Sequence, residues 1–205
     1  LTLAGTCERD EVVLRSGARE GDVVAVTGSL GEAALGLRLL KEKMSLARGS
    51  ALEAALAKFR RPIPRLKESR AIVRELQPSS MIDVSDGLLS DLLHVLEASK
   101  AGAVLDADKI PVGQSVLDFF GGKREDALPH AVAGGEDYEL LFTVSPRVET
   151  KMSELSARLG TPLTPIGKIT GKGPHARLVG TAVEVELKRR GFDHFRTEGR
   201  LSKEV

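Results

Sequence analysis

The chain of 205 residues has one cysteine, one tyrosine, no tryptophan and no asparagine. Cys7 by itself cannot make an internal disulfide, so nothing points to an oxidising compartment. The lack of Asn excludes N-glycosylation. Six Phe and one Tyr leave few members for a base-stacking platform. Neither charge sign is in excess, with 30 Lys and Arg against 29 Asp and Glu and a formal net charge of +1. That balance speaks against a dedicated nucleic-acid binder, which carries a basic excess or a basic stripe. No apolar run approaches the roughly 18 residues of a spanning helix, and no charged-then-apolar leader opens the chain, so no membrane role is expected. The chain is 41% hydrophobic and 29% charged, as in a globular domain, and the expected location is cytoplasmic.

The chain opens at Leu1 within a strand-like stretch, residues 1–5, which suggests a fragment or a processed product. The apolar run 23–27 predicts a buried strand ended by Gly28. Helical spacing predicts helices over 32–43, 51–60 and 66–76, the last two separated by Arg61-Pro62-Ile63-Pro64, which cannot be helix interior. Residues 81–84 read as a strand entering Ser85-Asp86-Gly87, and 88–99 as an amphipathic helix with Ser90, Asp91, His94 and Glu97 on its polar face. A strand at 103–105, a helical stretch 114–133 broken at Gly121-Gly122, a strand at 140–144 and a helix from Pro146 to Leu159 follow. Short strands are expected near Ile166, Leu178 and Val185. Strands and helices alternate without a regular βαβ rhythm. The fold class is therefore α+β with α/β layers, a mixed β-sheet flanked by helices.

Several familiar signals carry little. Gly171-Lys172-Gly173-Pro174-His175-Ala176 is spelled like a dinucleotide loop but leads into a strand, so a hairpin turn is expected. Thr27-Gly28-Ser29-Leu30-Gly31 follows a strand and opens a helix, so its amides could hold an anion, but no Gly-Lys-Ser/Thr ending makes it a P-loop. The four His residues show no paired metal-ligand spacing; His94 reads as a solvated side chain and Cys7 as structural.

Asp83-Val84-Ser85-Asp86-Gly87 is more informative. Alternation along a strand puts Asp83 and Ser85 on one side, with Asp86 at the turn into the helix. Two carboxylates and a hydroxyl make the hard, oxygen-rich cluster that Mg²⁺ requires. The plainer alternative is that Ser85 or Asp86 caps the helix, which leaves Asp83 without a purpose. A second cluster, Gly134-Gly135-Glu136-Asp137-Tyr138-Glu139-Leu140, joins three acids and the only Tyr to a Gly-Gly turn, and reads equally as a polar turn before a core strand. A third, Gly191-Phe192-Asp193-His194-Phe195, is an aromatic-bearing loop that could be a terminal anchor.

Taken in order with Arg15-Ser16-Gly17-Ala18, Gly21-Asp22-Val23, Thr27-Gly28 and Arg61-Pro62-Ile63-Pro64-Arg65, these motifs resemble the thiamine-monophosphate kinases, within the wider superfamily of aminoimidazole ribonucleotide synthetase. The Ser-Asp-Gly element is common to the superfamily; the Gly-Gly-Glu-Asp-Tyr-Glu-Leu and terminal aromatic-Asp-His-Phe elements are more specific to the kinases. The resemblance implies the carboxy-terminal domain of that fold over 21–205, with 1–20 as the end of a missing amino-terminal domain and its connector. It implies phosphorylation of thiamine monophosphate to thiamine diphosphate, with ATP as co-substrate and Mg²⁺ as cofactor. By the same resemblance Asp83 and Asp86 bind Mg²⁺, Arg15 and Ser85 contact ATP, and Glu136 and Phe192 bind the thiamine part. The missing domain supplies most of the family's metal-binding aspartates, so the chain alone is expected to be inactive; the full-length enzyme could be a homodimer. Two other readings stay open: another ATP-using enzyme of the superfamily, acting on an amide or a selenide, and a non-catalytic domain that binds a ligand or partner.

Overall fold

The computed structural model describes residues 2, 5–6, 8–44, 50–171, 173–180 and 183–187. The apolar run at 23–27 becomes β1 (Val23–Thr27), buried along its whole length. It is flanked on both edges, by β4 (Glu139–Val144) and by β5 (Leu163–Thr170), each antiparallel to it. With β2 (Ser80–Val84), β3 (Gly102–Asp106), β6 (Ala176–Gly180) and β7 (Val183–Leu187) the sheet has seven strands in the order β2-β4-β1-β5-β3-β6-β7. All neighbours are antiparallel except β3 and β6. The sheet is therefore mixed, as the pattern of the sequence predicts.

The helices are α1 (Glu32–Lys41), α2 (Ala51–Arg60), α3 (Leu66–Leu76), α4 (Leu88–Ser99), α5 (Gln114–Phe119), α6 (Arg124–Ala133) and α7 (Glu149–Leu159). Strand alternation splits the core in two. Val24 and Val26 of β1 face a cluster that holds Leu35, Leu39, Ala55, Leu88, Leu92, Leu96, Val116 and Leu128, from α1, α2, α4, α5 and α6. Val23 and Ala25 face Ile72, Leu76, Met152 and Leu155 of α3 and α7. Each fully buried leucine contributes about 2 kcal/mol by leaving water.

Three local expectations change. The turn after β5 does not close a hairpin, because β3 lies between β5 and β6 and pairs with both. Pro146 starts a short 3-10 turn, Pro146–Val148, and α7 follows it. Neither Ser85 nor Asp86 caps α4: its N-cap is Gly87, which makes no side-chain capping bond. Most of the strand-like stretch 1–5, together with Cys7, lies outside the described residues.

Candidate functional site

Strand β2 ends the sheet, so its outer side is open to a further segment. The carbonyl of Leu14 accepts the Met81 N–H at 3.0 Å, which lays the chain around Leu14 along that edge. The amides of Gly17 and Ala18 both donate to Ser99 Oγ at the end of α4, at 3.1 Å. Arg15, held between these two attachments, lines an open groove of about 700 Å³ with Asp83, Ser85, Asp86, Asp91 and His94. The four residues expected to hold ATP and metal thus meet on one surface. Neither Asp83 nor Asp86 has an ion-pair partner among the described residues.

Asp91 corrects the reading of α4. It does not lie on a solvated polar face: it is 2% exposed. Its Oδ2 accepts the N–H groups of Ser85 at 2.9 Å and Asp86 at 3.0 Å, so it fixes the turn that carries both. Burial holds its carboxyl above the ordinary range, and the charges of Asp86 and Asp83 push the same way against the two backbone hydrogen bonds. A carboxylate in the first turn of a helix, just after a turn with free amides, is the signal that could have revealed it. His94 is exposed, as expected, but it is on the groove.

On the other side of the same turn lies Glu136. Its N–H donates to the Ser85 carbonyl at 2.8 Å, and that of Tyr138 to the Val84 carbonyl at 2.9 Å. Glu136 and Tyr138 both adopt positive φ, 70° and 50°, and the Tyr138 hydroxyl donates to Glu136 Oε2 at 3.0 Å. That hydrogen bond, more than burial, holds the phenol above its usual range, so it stays a donor. Gly135 allows this approach: a Cβ there would sit 2.4 Å from the Ser85 carbonyl oxygen. Ser85, Asp86 and Glu136 line a smaller pocket of about 260 Å³ with Ala33, Leu37 and Phe59. The aromatic wall from Phe59 was not anticipated. Phe192, the other aromatic expected there, lies outside the described residues.

The remaining two acids of the second cluster are structural. Asp137, 2% exposed, accepts the Gly31 N–H at 2.6 Å and the Ala33 N–H at 3.1 Å. The anion held by the Gly28–Gly31 region is therefore the protein's own carboxylate at the start of α1. Glu139 accepts Thr27 Oγ1 at 2.6 Å and both Arg65 Nε and Nη2 at 2.7 Å, with Lys58 Nζ at 3.2 Å. Gly28 is the neighbour that makes room, since a Cβ there would lie 2.4 Å from Glu139 Oε1.

Burial lifts the Asp137 carboxyl from 3.8 to about 6, against its amide hydrogen bonds and Lys58. An acid with a raised folded pKa binds its proton more tightly in the fold. Its stabilising contribution is complete below the ordinary 3.8 and lost as pH rises through about 6. Relative to Asp137→Asn, wild-type stability in urea should fall by roughly 3 kcal/mol between about pH 4 and pH 7. A wild-type-minus-variant difference that stays flat across that window would refute the assignment.

The sequence profile of the AIR synthase related protein C-terminal domain matches residues 19–179. Thiamine-monophosphate kinase of Buchnera aphidicola subsp. Schizaphis graminum is 36% identical over 195 residues, covering 95% of this chain and 59% of that protein. Among solved structures, thiamine-monophosphate kinase from Stenotrophomonas maltophilia K279a superposes with a TM-score of 0.77 at 33% identity, over 86% of this chain and 56% of that one. AaThiL complexed with AMPPCP and TMP gives a TM-score of 0.71 at 26% identity, over 89% of this chain and 54% of that one. This chain spans about three fifths of the length of the curated relatives it matches. The matched stretch takes in β1, the β2-turn-α4 unit, the Gly-Gly-Glu-Asp-Tyr loop and most of β6, and the chain belongs to the AIR synthase related proteins as a carrier of their C-terminal domain.

Proposed function

We propose that this chain is the carboxy-terminal part of an ATP-dependent kinase that converts thiamine monophosphate to thiamine diphosphate. Residues 21–205 would form the domain, and 1–20 the end of an amino-terminal domain that completes the site, with its connector. The observation that carries this reading is the Ser85-Asp86 turn. It is the common wall of an acidic groove with Arg15 and of an apolar pocket with Glu136. A phosphate-handling centre and a place for an organic cation therefore adjoin across a single turn. The names of the relatives, and the AMPPCP and TMP in one of them, supply the substrates.

The groove fits a hard divalent cation: Asp83, Asp86 and Asp91 bring three carboxylates together, and no basic side chain is paired with any of them among the described residues. In this reading Asp83 and Asp86 would hold Mg²⁺, which would supply positive charge against the phosphates. Arg15 offers a planar fork to the phosphates of ATP, and the Ser85 hydroxyl a further hydrogen bond. Glu136 faces the cationic thiazolium, its carboxylate oriented by the Tyr138 hydroxyl, with Phe192 adding an aromatic surface. The attacking oxygen belongs to a phosphate that is already anionic, so no strong general base is required. It attacks the γ-phosphorus of ATP, the bond to the β-phosphate oxygen breaks, and ADP leaves. The work of the protein is positioning and charge compensation. Such a reaction belongs in the cytoplasm, and its full-length catalyst could pair as a homodimer.

The direct test is product formation by the full-length protein with ATP, Mg²⁺ and thiamine monophosphate; failure to form thiamine diphosphate would end the proposal. In that protein Glu136→Gln should weaken thiamine monophosphate more than ATP, by roughly 1–3 kcal/mol for a lost charged contact. Measuring KM for both substrates checks it, and a change confined to ATP would remove Glu136 from the thiamine pocket.

A further inference from the structure

Three side chains on the groove form a cluster of a different chemical kind from the Asp83 and Asp86 pair. Asp86, Asp91 and His94 each place one potential ligand atom within 4.8 Å of the others. Asp91 and His94 stand three residues apart on α4, hence on one face of the helix. Asp91 is 2% exposed, and only its Oδ2 is engaged, by two backbone N–H groups. Its second oxygen accepts no hydrogen bond and meets no cation among the described residues, although Asp91 lines the groove. A buried carboxylate beside two others, its charge met only by two backbone N–H groups among the described residues, favours a cation in the groove. The His94 side chain makes no hydrogen bond or ion pair among the described residues either, and is exposed on the same groove.

From this arrangement we infer that Asp86, Asp91 and His94 form a binding site for a first-row divalent transition ion. The inference rests on the kinase reading only in taking Asp86 as a metal ligand. The nitrogen decides the class of ion. Mg²⁺ favours oxygen ligands and gives up water reluctantly, whereas imidazole suits zinc, nickel, iron and copper. Two carboxylates and one imidazole also leave coordination positions open, as in sites where a water or a phosphate oxygen completes the sphere. The groove beside Arg15 is where such a group would enter.

The probe is Co²⁺, whose visible absorption reports its ligands. The chain is titrated with Co²⁺ as wild type, His94→Ala and Asp83→Asn, with the His94 ring followed by NMR. The expected result is one saturable site that shifts and broadens the His94 ring signals. His94→Ala should weaken it by at least the roughly 10- to 100-fold that loss of a supporting partner costs, and Asp83→Asn by much less. Mg²⁺ should compete only in large excess. His94 is exposed, so its replacement leaves the core intact. Equal Co²⁺ affinity in wild type and His94→Ala, or undisturbed His94 signals at saturation, would overturn the inference. So would loss of binding in Asp83→Asn alone, which puts the ion on the oxygen pair. None of these outcomes bears on thiamine diphosphate formation by the full-length protein, which tests the kinase reading separately.

Discussion

Glu139→Ala should cost the fold about 3–5 kcal/mol, the usual penalty for removing one partner of a buried ion pair. The Glu139 side chain is 1% exposed and holds together residues far apart in the sequence. Arg65 reaches both of its oxygens, Lys58 approaches at 3.2 Å, and Thr27 Oγ1 donates to Oε2 while accepting the Leu140 N–H. Without the carboxylate, Arg65 keeps only Glu68 at 3.3 Å as an ion-pair partner, and Lys58 keeps Glu32 at 3.5 Å beside its hydrogen bond to the Ser29 carbonyl at 2.6 Å. The Glu32 carboxyl nevertheless stays below its ordinary range: burial raises it, but the hydrogen bond from Ser115 and the charge of Lys58 outweigh that. Denaturation in urea at neutral pH measures the loss. Adding Arg65→Met to the variant should recover part of it, because an apolar side chain does not need the missing charge. A loss below about 1 kcal/mol in the single variant, as for an exposed pair, would mean that water reaches the cluster freely.

The largest effect on activity is expected at Asp83. In the full-length protein Asp83→Asn keeps the shape of the side chain and removes the charge of the carboxylate proposed to hold Mg²⁺. Turnover should fall by about 10²-fold or more, on the scale of losing one preorganised electrostatic contact. The Mg²⁺ dependence should shift to higher concentration, while folding stays unchanged because Asp83 is exposed on an edge strand. Metal-dependent kinetics with a thermal melt of the same sample separate the two. Unchanged turnover and unchanged Mg²⁺ dependence would make Asp83 a surface residue only. Groups that act together on two polyanions are strongly interdependent. For that reason the chain by itself, without an amino-terminal domain, should form no measurable thiamine diphosphate.

Much of this architecture is local information. The valines at 23, 24 and 26 specify a strand buried on both faces, the leucines of 88–99 a helix with one apolar side, and Pro62 and Pro64 a break between α2 and α3. These follow from side-chain period and from the missing N–H of proline, which act within a few residues. The Asp83-Val84-Ser85-Asp86 run was legible in the same way, because the strand-to-turn geometry that aligns it is encoded in adjacent residues.

The roles of the other carboxylates were decided elsewhere. Glu136, Asp137 and Glu139 occupy one short stretch of sequence, and only the tertiary structure separates them. Glu136 faces a pocket with Phe59, Asp137 closes the start of α1, and Glu139 is enclosed by Thr27, Lys58 and Arg65. Asp91 likewise passes for a surface residue in the helical pattern until the turn of Ser85 and Asp86 folds over it. The sequence by itself determined the strands, the helices and the position of the oxygen-rich turn, since those depend on neighbours. Which acid stays free, which one caps a helix and which one is neutralised was settled only in three dimensions. A carboxylate's charge is governed by burial and by the donors around it, and here Thr27 and Glu139 meet across 112 positions of chain.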